Sequence, residues 1–229
     1  MGMEVVQAGP GGQSASFVAV DKTYSAGRST LRPADWQNTD GSTQGGHFGL
    51  GIQTGLTTVI AAGGILLSFR WTDSARVCAL NKINVSAVMT TGFGAAQAID
   101  VDAVVVRGFT ASDTGQTAVS MSSNSGKKRS TMSSSLVGDL RVANTAAIGT
   151  GTGTADTNPF AAVVIPTNLA TSSVGASGYA PLFQVQPGTE SPVVLQQNEG
   201  FRIRVVTVQG ATGVLRYTFS LDWVETPAY

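Results

Sequence analysis

Apolar and polar residues alternate with a period of two along much of the chain after residue 66. Apolar residues, most of them large or β-branched, occupy every second position in segments 67–71, 83–89 and 99–105, and most of the residues between them are small or polar. A strand with one buried face produces this pattern, and β-branched residues favour it. These segments are therefore predicted to be half-buried β-strands.

The C-terminal part shows the clearest alternation. Segments 201–205 and 215–223 each alternate, and the glycine-bounded sequence GATG at 210–213 lies between them. Two alternating segments around such a turn predict an antiparallel hairpin. We expect its large residues to face the core and its Arg, Thr, Ser and Asp residues to face solvent.

The N-terminal part has little periodicity. Two glycine pairs, two prolines and a polar tract interrupt residues 1–58. Such a segment becomes ordered mainly by lying on its own body or on a neighbour. We predict an extended N-terminal arm with loops over residues 1–58 and a β-sandwich domain over residues 59–229.

Long polar connections separate the predicted strands. Segments 112–135, 147–159 and 171–179 are rich in Ser, Thr, Gly and Asn, and loops of this length usually contact or bind something. Helix signals amount to one short turn at most, within 134–143. Seven to nine strands without helical alternation predict an all-β fold, an antiparallel β-sandwich, with the jelly roll as the expected topology.

Charge narrows the possible functions. Charged residues make up 12% of the chain, against about 25% in ordinary soluble domains, and 14 basic residues balance 14 acidic ones. A charged helical bundle or a coiled coil needs many more Glu, Lys and Arg residues. A protein that binds nucleic acid by neutralising phosphates needs a basic excess, so no direct nucleic-acid partner is expected.

No membrane partner is expected either. The longest apolar stretch, 59–67, is about half the ~20 residues that span a bilayer, and residues 1–13 lack the features of a signal peptide.

Cys78 is the single cysteine, so an intramolecular disulfide and a multi-thiolate metal site are both excluded. Synthesis in a reducing cytosol fits this cysteine usage.

Catalytic candidates are few. His47 is the only histidine, and no Gly-x-Ser-x-Gly motif supplies a nucleophile beside it. Cys78 and His47 could formally make a catalytic Cys/His pair, but no local sequence motif around either residue supports one. Asp100 and Asp102 lie two residues apart and would face the same side of a strand. Such a pair can act as acid and base in a glycan-cleaving enzyme. We favour the interpretation that they form a solvated face or contact an Arg of a partner. We expect no catalytic residues and no enzymatic activity.

Two glycine-containing segments superficially resemble phosphate-binding loops. GKKR at 126–129 fails the Walker pattern, because Met121 occupies the place of its first glycine and Lys128 that of its Ser or Thr. The alternating glycines of 149–153 lack the strand-to-helix context of a dinucleotide fingerprint. We expect no cofactor and no metal, and interpret the basic residues as a solvated loop tip or a contact to an acidic protein or nucleic acid.

Aromatic residues are predicted mainly in the core. Trp36, Trp71 and Trp223 fit a core position better than a sugar-stacking one. A carbohydrate site needs an exposed aromatic residue in a loop, and the loop candidates are Tyr179, Trp36 and Phe160.

An ordered series of short segments resembles the virion structural proteins of tailed bacteriophages. The segments cover roughly residues 46–225 and are GHF at 46–48, FRWT at 69–72, TGFGAAQ at 91–97, RGF at 107–109, KKR at 127–129, SLV at 135–137, VLQQNEGFRIR at 194–204, GATG at 210–213 and LDWVE at 221–225.

The resemblance implies a non-enzymatic component of the virion, without catalytic residues to carry over. We expect a capsid decoration (cement) protein that packs against neighbouring subunits, forms a homo-oligomer, with a trimer as one candidate, and binds the major capsid protein or other virion proteins. The alternative is a tail or fibre component that acts as a carbohydrate- or receptor-binding module. A surface of small, weakly charged residues suits either contact, because ordering long side chains opposes association.

Overall fold

The computed structural model describes residues 5–8, 13–16, 18–19, 25–26, 46–95, 97–122, 125–128, 132–165, 175–176, 179–186 and 191–226. Within these ranges the chain forms strands and no helix, which confirms the predicted all-β class. In chain order the strands are β1 (Val5–Ala8), β2 (Gln13–Ser16), β3 (Val18–Ala19), β4 (Ser25–Ala26), β5 (His47–Gln53), β6 (Thr57–Thr58), β7 (Ile65–Trp71), β8 (Val77–Thr91), β9 (Ile99–Arg107), β10 (Thr117–Ala118), β11 (Val137–Val142), β12 (Thr154–Ala155), β13 (Ala161–Ile165), β14 (Gly175–Ala176), β15 (Ala180–Gln184), β16 (Val193–Leu195), β17 (Glu199–Val205) and β18 (Val214–Thr226).

Two antiparallel sheets pack against each other as a β-sandwich, as the sequence predicted. Sheet I has the order β10-β11-β7-β17-β9-β12, with β13 also paired to β9. Sheet II has the order β14-β8-β18-β5, with β15 and β16 also paired to β8 and β6 to β18. Strands β1 and β2 pair with each other, and so do β3 and β4.

The core lies between the two sheets and contains the predicted alternating residues. Phe69 of β7 stacks on Phe201 of β17, with ring centres 4.9 Å apart, and meets Trp223 of β18 edge-on at 5.8 Å. All three side chains are fully buried. Burial of an apolar side chain of this size contributes about 1.5–3 kcal/mol, so aromatic contacts across the core join the two sheets.

The predicted C-terminal hairpin is wrong. Strand β17 pairs with β7 and β9 in sheet I, whereas β18 pairs with β8, β5 and β6 in sheet II. The connecting segment 206–213 therefore crosses from one sheet to the other. Alternation shows only that one face of each strand is buried, and two strands facing each other across a core satisfy that condition as well as a hairpin does.

Strands β5 and β6 lie inside the range 1–58 that the sequence analysis placed in the arm. β5 pairs with β18 from Gln53↔Thr218 to His47↔Val224, within sheet II. Its sequence, HFGLGIQ, hides the alternation, because glycines occupy two of the outward positions. Except for the four short strands β1 to β4, residues 1–45 lie outside the described residues.

Segments 108–115 and 149–156 cover part of the outer face of sheet I. A second apolar cluster forms there from Val104, Val106 and Phe109, all fully buried. Arg202, which the alternation predicted to face solvent, is 4% exposed beneath this layer. The prediction failed for Arg202 because two of the long polar connections fold back over the strand.

Three segments connect the sheets at one end of the sandwich. Segment 54–64 leads from β5 through β6 to β7, segment 92–98 from β8 to β9, and segment 206–213 from β17 to β18. We call the surface formed by these three segments and by Val164 of β13 the apolar end.

Candidate functional site

Exposed apolar side chains concentrate at the apolar end. The described residues contain six exposed large hydrophobic side chains, and five of them lie here: Leu56, Val59, Val164, Val206 and Val208, each 45–60% exposed. Val164 belongs to this surface because it pairs with Asp100, whose carbonyl oxygen accepts a hydrogen bond from Val206 N. Neighbouring strands are about 5 Å apart, which places these two valines about 10 Å from each other. Clustered exposed apolar residues of this kind mark interaction sites.

Hydrogen bonds join two of the three segments into one unit. Gly63 N donates to Val205 O at 2.8 Å, and Gln209 N donates to Ile60 O at 2.9 Å. The buried amide of Gln209 also accepts from Ile60 N at 3.3 Å and donates to the hydroxyl of Tyr217 at 2.5 Å. Burial raises the pKa of Tyr217, so this hydroxyl stays protonated. The apolar side chains therefore stand on a cross-linked base.

A shallow concavity of about 410 Å³ opens between segments 92–98 and 206–213. Phe93, which is 5% exposed, lines it. The amide of Gln97 accepts a hydrogen bond from Gly210 N at 2.8 Å and donates one to Val208 O, and Gly94 N donates to the Thr212 hydroxyl at 2.7 Å. Because these polar groups bond to each other, the concavity suits an apolar side chain.

The three segments contain no charged residue. The charged side chain at their base is Asp100 of β9, which is half-buried. Its Oδ2 accepts from the Thr207 hydroxyl at 3.1 Å, while its Oδ1 is buried without a hydrogen-bond partner among the described residues. The three connecting segments are thus uncharged, and the one carboxylate at their base, that of Asp100, is half-buried.

Val59 has a backbone conformation that is unusual for its side chain. Its φ is 46°, in the left-handed region that β-branched residues rarely adopt, and the side chain is 55% exposed. Such a conformation costs about 1–3 kcal/mol and concentrates at functional sites. With half of the side chain in solvent, packing within the chain compensates little of this cost.

His47, the single histidine, bonds to the ion pair of Lys128 and Asp222, away from the apolar end. Asp222 Oδ1 accepts from its Nε2 at 2.5 Å, and Lys128 Nζ lies 3.4 Å from Asp222 Oδ2. Burial alone would raise the pKa of Asp222, but the bond from His47 and the charge of Lys128 outweigh it and lower that pKa. The arrangement joins β5 to β18 and to the segment 125–128.

Cys78 does not meet His47. Its thiol is fully buried in the core beside Glu225, and burial raises its pKa well above the ordinary value. Glu225 is also fully buried and accepts hydrogen bonds from the Ser135 hydroxyl at 2.6 Å and from Trp223 Nε1 at 3.1 Å. Burial raises the pKa of Glu225, and these donors offset part of the rise. Neither half of the Cys/His pair has the other as a partner.

Asp100 and Asp102 both bond within the chain. Asp102 receives two hydrogen bonds from Arg204 of β17, at 2.9 and 2.6 Å, which raise the pKa of that guanidinium. Asp100 binds Thr207 as described above. Asp102 is thus paired with an Arg of its own chain, where the sequence analysis considered solvent or a partner's Arg.

The basic segment adds to the edge of sheet II. Gly49 N donates to Gly126 O at 2.8 Å, and Lys128 N donates to His47 O at 3.2 Å. The backbone of 126–128 therefore lies along β5, and Lys128 pairs with Asp222 of its own chain. Arg129 lies outside the described residues.

The alternating glycines of 149–153 serve close packing. Gly149 and Thr114 exchange two backbone hydrogen bonds of 2.9 Å, and Gly151 N donates to the buried carboxylate of Asp113 at 2.6 Å. A Cβ atom at Gly151 would lie 2.6 Å from Ser112 O, and one at Gly153 would lie 2.6 Å from Val106. The repeat lets one covering segment lie directly on another.

The predicted aromatic residues divide between core and surface. Trp71 and Trp223 are fully buried, as predicted, whereas Trp36 lies outside the described residues. Phe160 is half-buried and packs edge-on against Phe183 at 5.4 Å. Tyr179, directly before β15, is 57% exposed and is open to a ligand.

No model of a protein family, no curated protein and no solved structure matches this chain. Among the described residues, no cluster of three or more His, Cys, Asp or Glu could hold a metal ion, and no helix could cross a membrane.

Proposed function

We propose that this protein is a non-enzymatic structural component of a bacteriophage virion, most specifically a capsid decoration (cement) protein made in the host cytoplasm. The observation that carries the proposal is the apolar end, where five exposed apolar side chains stand on three uncharged segments. The ordered sequence resemblance to phage virion proteins supports the choice of particle.

Interface physics supports an assembly role for this surface. The cores of protein interfaces are depleted of Lys, Glu and Asp, and the apolar end has none of these in its three segments. The side-chain amides of Gln97 and Gln209 are already bonded within this end, so covering them costs little desolvation. The proposed partners are other copies of this chain, in a homo-oligomer for which a trimer is one candidate, and the major capsid protein or other virion proteins.

We also propose that the β-sandwich has the jelly-roll topology. Successive long strands alternate between the sheets, from β7 in sheet I to β8 in sheet II, back to β9, and later from β17 to β18. This alternation is consistent with a jelly roll, an architecture that viral capsid proteins use.

The proposal predicts that the chain is present in purified particles at a fixed, high copy number. Quantitative mass spectrometry of density-purified virions measures that number relative to the major capsid protein. We expect a stoichiometric ratio that does not change on repeated purification. If the chain is missing from the particles, or falls away in proportion to host contaminants, the proposal is wrong.

The exposure of Tyr179 supports the alternative, a tail or fibre component that binds a carbohydrate receptor. An exposed ring beside polar groups can stack on a sugar, and Tyr179 is 57% exposed. On a glycan array, this alternative predicts binding that Tyr179→Ala abolishes and that Phe160→Ala, at a half-buried ring, leaves in place. Absence of binding by the unmodified protein, or binding that survives Tyr179→Ala, would count against it.

A further inference from the structure

We propose that the apolar end binds the apolar end of a second copy of this chain. The inference rests on the proposed structural role and names the surface through which copies meet. It assigns an interface to Leu56, Val59, Val164, Val206 and Val208, together with the concavity beside them.

Charge is the reason to choose a second copy as the occupant. A partner with a charged face would lose hydration on contact, and the three segments of the apolar end offer no opposite charge in return. The Asp100 carboxylate at their base offers little to such a partner, because its Oδ2 accepts from Thr207 and its Oδ1 is buried. An uncharged, largely apolar surface is the complement that this end requires. The molecule itself presents such a surface, and a two-fold contact places identical patches against each other.

The shape of the end fits self-pairing. Val208 is 52% exposed at the rim of the concavity, so a protrusion and a hollow lie side by side on one surface. A two-fold axis between them directs each protrusion toward the hollow of the other copy. The concavity is lined by Phe93, and the Gln97 amide and the Thr212 hydroxyl in its lining are bonded internally, so it can receive an aliphatic side chain.

The rigidity of the end lowers the entropic cost of association. The hydrogen bonds of Gln209 and Gln97 hold the three segments before a partner arrives. Interfaces that are ordered in advance lose less conformational freedom on binding. The strained backbone of Val59, with φ 46°, fits the same picture, because a partner would cover an exposed side chain that its own chain leaves half open.

Self-association is measured by sedimentation velocity over a wide range of concentrations, with a matched pair of variants. Ala211 and Ala75 are both exposed loop alanines, but Ala211 lines the concavity and Ala75 lies in the β7–β8 loop at the opposite end. We expect Ala211→Asp to weaken self-association by about tenfold or more, as loss of an interface centre does. We expect Ala75→Asp to associate like the unmodified protein, with both variants retaining the melting temperature.

A second variant separates an interface role from a structural one. Asparagine tolerates the left-handed conformation that strains Val59, so Val59→Asn should raise the melting temperature while weakening self-association. A residue needed only for folding would not change these two quantities in opposite directions.

Three outcomes would overturn the proposed interface. These are a protein that stays monomeric at its highest soluble concentration, equal effects of Ala211→Asp and Ala75→Asp, and loss of incorporation into particles in Ala211→Asp without any change in self-association. The last result would assign the surface to another virion protein and leave the proposed function standing, because that function is tested separately by copy number in particles.

Discussion

Replacing Asp113 by alanine is expected to destabilise the protein by about 3–5 kcal/mol, the usual cost of leaving one partner of a buried ion pair alone. The Asp113 side chain is fully buried and receives hydrogen bonds from Arg202 at 2.6 and 2.7 Å. The Ser68 hydroxyl and Gly151 N each donate a further bond of 2.6 Å. Its removal leaves a buried guanidinium, the buried Ser68 hydroxyl and the partly buried Gly151 N–H without this acceptor.

The contact also holds the layer that covers sheet I. Arg202 lies 5.4 Å from the centre of the Phe109 ring, and Gly151 belongs to the second covering segment. Asp113 thus joins both covering segments to β17. We expect Asp113→Ala to accelerate amide hydrogen exchange in segments 108–115 and 149–156. The same substitution should accelerate exchange in β18 less.

Two controls accompany this variant in urea unfolding followed by tryptophan fluorescence. Asp156→Ala removes an exposed partner of Arg107 and should cost less than about 1 kcal/mol. The double variant Asp113→Leu with Arg202→Met removes both charges and should recover much of the stability lost in the single variant. If the free energy of unfolding of Asp113→Ala lies within about 1 kcal/mol of that of the unmodified protein, the Asp113–Arg202 pair is not needed for stability.

Acid should act on the same contact. Burial alone would raise the pKa of Asp113, but the bonds from Arg202, Ser68 and Gly151 outweigh it and hold that pKa below its ordinary value of 3.8. The unfolded state therefore binds this proton more readily than the folded state. The contribution of Asp113 to stability is fully present above pH 3.8. It is lost as the pH falls through the lower pKa that Asp113 has in the folded state. Asp113→Ala should lack this component of acid sensitivity.

Replacing Gly200 by alanine is expected to cost about 3 kcal/mol or more, at or beyond the upper end of the usual cost of overpacking. A Cβ atom at Gly200 would collide with the carbonyl oxygen of Phe69 and would lie 3.1 Å from the Cα atom of Arg70. Both are backbone atoms of β7, the central neighbour of β17 in sheet I. The sheet would have to separate at this point, because no side chain can turn away to make room.

Gly51 provides the matched control. It also lies in a strand, β5, and faces outward, and a Cβ atom there meets nothing within 4 Å. Gly51→Ala should leave stability unchanged or raise it slightly, because alanine loses less backbone entropy than glycine on folding. Equal melting temperatures for Gly200→Ala and Gly51→Ala would contradict the tight approach of β17 to β7.

The strands could be predicted from sequence because each long strand has one face in the same core. Tyr217 and Phe219 on β18 are buried as the alternation predicted, and so is Val101 on β9. Pairing could not be predicted in the same way. The order of strands depends on contacts between segments far apart in the chain, and the period of two is identical for a hairpin and for a crossing between sheets.

The covering layer was missed for a different reason. Val104 and Val106 are fully buried on the face of β9 opposite the core, yet their neighbours Asp100 and Asp102 on that face made it resemble a solvent face. The burial comes from Phe109 and from polar segments that have no periodicity of their own. A near-continuous apolar run, AVVV at 103–106, was the available signal that both faces of β9 are covered there.

The apolar end left a weak trace in the sequence. Each of its three segments is uncharged, but loops rich in Gly, Thr and Ala are common in this chain, and nothing in one segment indicates that the other two lie beside it. Valines in predicted loops, such as Val206 and Val208, were the stronger signal. Only the fold shows that they share one surface.

The segment 126–128 along β5 also bears on how the protein can polymerise. An open sheet edge is a template for adding further strands without limit, the route to fibres. Here Gly126 and Lys128 bond to the β5 backbone on either side of Phe48, and the Lys128 ammonium is held over Gly49 by Asp222. A foreign strand would have to displace this segment before it could pair with that stretch of β5. Strand addition is thereby blocked along this stretch of sheet edge, so contacts between copies would have to use other surfaces of the molecule.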